Sequence, residues 1–224
     1  VKKFVRRIER VDKNGLFKVF VSQDDFLFAK KLLISTGGHP SGHRLAESFG
    51  HQIIKPVPSL FSFSCKDEKL KACRGVVVKN VYLEIYLNNK YFKSQGDLLV
   101  THWGFSGPGI LRLSSEAARE LYEKKYNFKL RIKWTNLDYV ELTNRMNNLR
   151  EVNGRSNLCN SRPIPSLTKR LWVYLLNKLE IDNTKTWSSL FSKERYKIIN
   201  TLLNDEYQIT GKGPFSEEFV TSGG

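Results

Sequence analysis

Sulfur is scarce in this sequence. Its 224 residues include three cysteines, Cys65, Cys73 and Cys159, and no two of them form a CxxC pair. An odd count without a repeated spacing excludes a disulfide framework and a zinc ribbon, and reads as small buried thiols in a reducing compartment. Long apolar runs are missing too. None approaches the roughly 20 residues of a membrane helix, and no basic start followed by an apolar block and a small-residue cleavage site marks a secretory signal. The expectation is a cytoplasmic protein without a membrane partner. The phosphate-cradling signatures are also absent. There is no P-loop, and GKGPFS at 211–216 and GPGILR at 107–112 each lack the third glycine of GxGxxG and its strand-turn-helix setting. The chain therefore does not carry the main pyrophosphate cradle of a nucleotide cofactor. Acidic side chains are outnumbered, 22 against 37 basic ones, for a net charge of +15. Such a field attracts polyanions, but it is spread along the whole chain in a Lys- and Asn-rich mix that an AT-rich coding sequence would give. Nucleic acid is the alternative partner here, not the expected one.

What is present is globular: 40% hydrophobic and 12% aromatic residues, in a chain long enough to bury a core. KFVRRIERV and LFKVFVS flank DKNG, whose Asn14-Gly15 pair signals a hairpin. QDD at 23–25 makes a second turn into FLFA and KLLIST. Leu32-Leu33-Ile34 reads as a strand buried on both faces. After Gly37-Gly38, Leu45, Ala46 and Phe49 share a helical face, with Gly50 as the stop. Val81, Leu83, Ile85 and Leu87 alternate, LNNK turns the chain into YFKSQ, and DLLVTH is a further strand. Helical character begins near Ser114. Phe128, Leu130, Ile132 and Trp134 alternate again. Three helices are expected beyond Asp138: DYVELTNRMNNL, PSLTKRLWVYLLNKLEI with Ser166 as N-cap, and SKERYKIINTLLND. Leu171, Leu175, Leu176 and Leu179 read as a bundle core stripe, with the basic residues around them solvated. EYQIT reads as a returning strand.

Two phrases match, LLISTGG at 32–38 and FVTSGG at 219–224. A glycine pair after an apolar strand lets main chain approach a ligand closely. THWGFSGPG at 101–109 breaks regularity and offers main-chain N–H groups and a hydroxyl beside an aromatic ring. Ser106 does not fit the nucleophile pattern G-x-S-x-G, because Gly107 follows it directly. A rigid turn leading into a helix explains the segment equally well. His39 and His43 have the spacing of two zinc ligands on a helix, but Pro40 and Gly42 lie between them and the HExxH glutamate is absent; no metal site is expected.

Taken together, ISTGGHPSGHRLAESFGHQIIKPVPSLFSF, LLVTHWGFSGPGILRLS and GPFSEEFVTSGG resemble the aminoacetone-oxidase-like family of NAD(P)/FAD-dependent flavoprotein oxidoreductases, in its cyanobacterial and plant form. The likeness extends over essentially the whole chain. It implies an α+β fold with a β-rich, barrel-like insert subdomain, a small helical bundle, and remnants of a split FAD-binding domain at both ends. The implied segments are 1–38 (meander and strand of the FAD domain), 39–135 (β-rich insert), 136–205 (helical insert) and 206–224 (return strand). It also implies FAD in a longer parent protein, with NAD(P)H as an electron donor and the remaining parts of that chain as partners. Thr36, Gly37 and Gly38 would approach the flavin from one side and Thr221, Gly223 and Gly224 from the other. By analogy, His102, Trp103, Ser106, Gly107 and Pro108 would rim the substrate cavity. No residue is assigned as acid, base or nucleophile.

Overall fold

A computed structural model describes residues 4–11, 15–214 and 220–224. The chain divides into two compact units, Val1–Pro56 with Gly223–Gly224, and Val57–Ser222.

The first unit opens with a three-stranded antiparallel sheet, β1 (Arg7–Arg10), β2 (Phe17–Phe20) and β3 (Phe26–Ala29), in that order. Of the expected hairpin turn, Asn14 lies outside the described residues, and Gly15 has the positive φ (80°) that such turns need. Residues 30–38 form no strand, contrary to the reading of 32–34, and Leu33 is 86% exposed. A strand persists only where neighbours take its N–H and C=O groups and cover its faces. Here β1, β2 and β3 pair with one another, and no described strand lies alongside 32–34. Helix α1 (Pro40–Ser48) follows. It ends as expected, with Gly50 at φ 84° and its N–H donating to the Glu47 carbonyl.

The second unit is a closed antiparallel barrel with helices. Its strands are β5 (Phe63–Cys65), β6 (Val77–Leu87), β7 (Lys90–Val100), β8 (Gly104–Ser106), β9 (Phe128–Lys133) and β10 (Asp205–Lys212), in the order β10-β5-β8-β7-β6-β9. The alternation read from the sequence is the barrel's inward face: Val81, Leu83, Ile85, Leu130 and Ile132 are buried together with Phe63 and Phe105. Two left-handed residues, Asn88 and Asn89, make the tight β6–β7 turn. Strand β4 (Val57–Pro58) lies outside the barrel and pairs with β11 (Thr221–Ser222). The α+β class with a barrel and a helical module is thus the observed architecture.

Three boundaries differ from expectation. Residues 39–56 belong with the first unit, not with the barrel. The returning strand at 206–212 does not leave the barrel but completes it, because Tyr207 and Ile209 bury into the barrel core; alternation marks a half-buried strand without naming its sheet. Helical structure begins at Pro108, not Ser114. α2 (Pro108–Glu116) uses proline at its first turn, where no N–H is needed, and α3 (Ala118–Glu123) follows.

Beyond β9 come α4 (Tyr139–Val152), α5 (Lys169–Lys178) and α6 (Ser192–Leu203). Asp138 and Glu141 cap α4 reciprocally, each carboxylate accepting the other's backbone N–H at 2.8 Å. The cap of α5 is Thr168, not Ser166: its hydroxyl accepts from the Leu171 N–H at 3.3 Å. The intervening Leu167 is fully buried, so the helix starts beyond it. Leu171, Leu175 and Leu176 form the expected core stripe, with Leu179 packed at its margin.

A buried carboxylate joins the helices to the barrel. Asp205, 3% exposed at its side chain, accepts from Trp134 Nε1 (2.9 Å), Tyr207 OH (2.6 Å) and Lys178 Nζ (2.6 Å). Lys178 also sits 3.6 Å from the Tyr207 ring centroid. Burial pushes the Asp205 carboxyl up, against the opposing pull of Lys178 and the other donors. Burial likewise raises the Tyr174 and Tyr207 phenols, so both remain neutral donors.

Outside, the barrel is polar and charged in cross-strand rows. Glu84 of β6 faces Lys93 of β7 and Arg131 of β9, and Arg131 faces Glu206 of β10. The ion pairs measure 3.2 Å (Lys93–Glu84), 2.8 Å (Arg131–Glu84) and 3.2 Å (Arg131–Glu206).

Asp205→Asn leaves the Lys178 ammonium against a neutral amide and is expected to cost about 3 kcal/mol in urea unfolding. Adding Lys178→Met should recover part of that loss; additive losses would show that the two side chains do not act as a pair. Arg131 holds Glu206 below the ordinary glutamate range. That contribution is present above about pH 4.3 and is lost as pH falls through the lowered folded value. The side chain is 45% exposed, so the loss is at most about 1 kcal/mol. Melting curves between pH 3 and 6 should show Arg131→Gln lacking this part of the acid decline.

Candidate functional site

The glycine pairs come first, since they carry the cofactor expectation. Thr36, Gly37, Gly38, Gly223 and Gly224 all fall in the first unit, whereas Thr221 belongs to the second, where it pairs with Pro58. The turn at Thr36–Gly38 is exposed, with Gly37 at φ 59°. Side chains placed on Gly37 or Gly38 would meet nothing within 4 Å, so the main chain there is bare. The turn leads into α1. His39 is the N-cap of that helix, its Nδ1 3.2 Å from the Ser41 N–H and 2.8 Å from the Ser41 hydroxyl. Gly42, the buried residue of α1, has Thr36 packed directly on its Cα, where any side chain would overlap the Thr36 hydroxyl. That close approach explains the third glycine of GGHPSG.

The second glycine pair returns to this neighbourhood. Gly224 N–H donates to the Ile54 carbonyl at 2.8 Å, and Ile54 N–H donates back at 3.3 Å. Both glycines are left-handed, Gly223 at φ 115° and Gly224 at 126°. A Cβ on Gly224 would lie 3.7 Å from His43 Nε2. His39 and His43 thus have separate structural positions, one as helix cap and one beside the chain's last glycine. The sequence reading missed both roles. A His-Pro pair at a helix start is a weak capping signal, and nothing local marks His43.

The GFSGPG segment lies in the barrel wall. Gly104 and Ser106 bound β8, which pairs with β5 and β7. Its glycines are accounted for by packing. A Cβ on Gly104 would overlap the Phe63 carbonyl and lie 2.8 Å from the Cys65 nitrogen, and one on Gly107 would lie 2.7 Å from the Asp97 carbonyl. Gly109 faces Gly96 of β7, where a Cβ on Gly96 would stand 3.0 Å from the Gly109 nitrogen; α2 rides on the strand through this pair. Ser106 is opposite Leu99 in the sheet. Pro108 starts α2. The His102 and Trp103 rings meet edge to face at 4.4 Å, and Trp103 Nε1 is 3.3 Å from Ser62 Oγ. In GKGPFS, Gly213 lies against Ser62 and this indole: a Cβ there would overlap the Ser62 hydroxyl and stand 3.1 Å from Trp103 Nε1; residues 215–219 lie outside the described residues.

Among the cysteines, Cys73 is buried and its thiol is pushed up to about 11 by burial; burial raises the Cys65 thiol too. Neither has the character of a reactive thiolate.

Gly107→Ala is expected to lower stability by about 1–3 kcal/mol, through a left-handed non-glycine residue pressed on the Asp97 carbonyl. Ser106→Ala should leave the melting temperature within about 2 °C. The reverse order would show that the loop's glycines are not a packing device.

Residues 57–220 match the family described as "HI0933-like protein barrel and H2TH domain". The chain is 29% identical over 206 residues to the ribosomal RNA dihydrouridine synthase of Escherichia coli K12, covering 87% of this chain and 48% of that protein. It is 32% identical over 123 residues to the Haemophilus influenzae protein of the same name, covering 50% and 29% respectively. It is 29% identical over 98 residues to the 3-dehydro-bile acid delta(4,6)-reductase of Clostridium scindens, covering 44% and 24%. The chain spans about half the length, or less, of these relatives. With its family match covering the barrel and the helices, this chain belongs to the HI0933-like barrel and H2TH family.

Proposed function

We propose that this chain is the barrel-and-helix part, with flanking flavin-side turns, of an FAD-dependent oxidoreductase that reduces a ring carbon–carbon double bond in an RNA nucleotide. The reaction class is supported by the relatives' names. A dihydrouridine is a uridine whose ring double bond is saturated, and a delta(4,6)-reductase likewise acts on ring unsaturation. RNA is the favoured substrate class because two of these names are ribosomal RNA dihydrouridine synthases. Beside those names the net charge of +15, compositional when taken alone, suits a polyanionic substrate.

The observation that carries the flavin reading is the bare Thr36-Gly37-Gly38 turn, with Gly224 hydrogen-bonded back onto the same unit at Ile54. A turn with no side chain over it, entering a helix, fits main-chain contact with a flat ring system. Thr36, Gly37 and Gly38 would hold one side of the cofactor and Gly223 and Gly224 another, with Thr221 anchoring the approach. Bound FAD would supply hydride chemistry, with NAD(P)H as donor. This chain's own residues position, and none of them is assigned as acid, base or nucleophile. His102, Trp103, Ser106, Gly107 and Pro108 remain the proposed rim of the substrate cavity. The finer likeness to the aminoacetone-oxidase-like group rests on the motifs alone.

The test is flavin content. The whole protein should purify yellow with stoichiometric FAD, and Gly37→Val in it should lower occupancy at least about 10-fold, as a β-branched side chain opposes positive φ. The 224-residue chain should elute colourless from gel filtration, because GxGxxG is absent from it. A whole protein without flavin would overturn the reading, and so would full occupancy in Gly37→Val.

A further inference from the structure

The barrel's outer face carries exposed tyrosines. Tyr82 and Tyr86 of β6 and Tyr91 of β7 are 39%, 54% and 60% exposed. They stand in ordered rows. Tyr86 pairs across the strands with Tyr91, the rings 4.6 Å apart and tilted by 43°, while Tyr82 lies between Gln95 and Lys133. Two hollows open side by side on this face, of about 560 and 440 Å³, sharing Glu84 and Arg131 as the ridge between them. Tyr82 walls the first and Tyr86 the second. Lys93 and Lys133 line the first, Lys124 and Lys129 the second. With Arg131, five cations thus surround the hollows against two acids, Glu84 and Glu206. Lys133 lies 5.5 Å from the Tyr82 ring centroid and Lys93 lies 5.4 Å from that of Tyr91.

We propose that this face, the outer surface of β7, β6, β9 and β10, binds a single-stranded stretch of RNA, with Tyr82 and Tyr86 as stacking platforms for two bases and Lys93, Lys129 and Lys133 on the phosphates. Exposed rings set in a cationic groove are the physical requirement for sequence-tolerant single-strand binding. The ion pairs on Glu84 and Glu206 hold Arg131, Lys93 and Lys129 along the strand rows, so these positive groups are ordered before a phosphate arrives. Tyr82 and Tyr86 are separated by four residues of one strand, about 13 Å, so the two bases occupy separate hollows rather than one stack. A purely electrostatic partner, such as an acidic protein surface, would need the lysines but not the rings. The choice of RNA rests on the reductase reading above; the surface itself rests on these rows.

The test uses fluorescence anisotropy of a labelled 12-nucleotide oligouridine with the 224-residue chain, which needs no flavin. Heparin serves as a polyanion without bases, and circular dichroism confirms folding. Tyr82→Ala and Tyr86→Ala are each expected to weaken RNA binding about 10-fold while leaving heparin binding within about twofold. Tyr86→Phe should bind as the parent does, since stacking needs the ring and not the hydroxyl. Lys93→Gln with Lys133→Gln should lower the slope of log K against log salt by about two. A control set in the basic groove between residues 69–72 and α5, Lys69→Gln with Lys169→Gln, should weaken RNA binding less than the face variants. The proposal is overturned if no RNA binds at 50 mM salt, if the alanine variants bind RNA normally, if they lose heparin equally, or if the control set matches the face variants. None of these outcomes bears on flavin content, so the reductase reading stands or falls separately.

Discussion

One buried carboxylate sets the terms for the second unit. Asp205 begins the strand that closes the barrel, and its donors come from the end of β9, from α5 and from β10 itself. A carboxylate taken this far out of water is tolerated only when nearly every acceptor site is met. Trp134, Tyr207 and Lys178 meet it from different parts of the chain, and Lys178 spends its own charge partly on the Tyr207 ring. The helical module must therefore be in place before the last barrel strand is satisfied. Tyr174 extends the same logic by donating to Asp67 at 2.6 Å from α5. The barrel and the helices are coupled through polar groups that leave little choice of register, while apolar packing fills the space around them.

Glycine supplies the complementary constraint. Gly96, Gly104, Gly107 and Gly109 let three strands and a helix approach closer than any side chain allows. A loop rich in glycine with an isolated serine invites a catalytic interpretation, yet three of its glycines are used against the Phe63 carbonyl, the Asp97 carbonyl and the Gly96 backbone. The same residue type does the opposite at Gly37 and Gly38, where the space that a side chain would fill is open. Glycine alone does not distinguish a packed seam from an open turn; only the neighbours do.

That distinction marks what was readable in advance. Alternation at 81–87 and 128–134 identified strands and their buried faces, because a sheet with one filled side imposes period two on the residues themselves. The leucine stripe of α5 was equally local; the capping pair at Asp138 and Glu141 was local too but went unread, and the cap of α5 was misplaced at Ser166. Tertiary facts were not local. The alternation of Tyr207 and Ile209 was visible, but not that this strand joins β9 and β5 across more than seventy residues of helices. The apolar run at 32–34 looked like a central strand, because composition reports a wish to be buried and not the presence of partners. The candidate site was readable only through its glycine phrases; His39 as a cap is a local but weak signal, while Gly42 beneath Thr36 and His43 beside Gly224 depend on how the chain returns.

The closed barrel also limits where ligands can act. Its interior is filled by Val81, Leu83, Ile85, Leu98, Leu130 and Ile132, all at most slightly exposed, so it is a packed core and not a channel. Recognition in this unit must then use outer surfaces, and closure frees those surfaces from edge pairing. Outward positions of a barrel strand contribute little to the core, so their residue types are set by solvent or by a partner. A row that places Tyr86 against Tyr91 stabilises the sheet through the pair itself and still leaves both rings more than half exposed, beside a row that pairs Lys93, Glu84, Arg131 and Glu206 in alternating charge. A ligand with flat faces and a negative backbone is the chemistry that makes use of both rows at once.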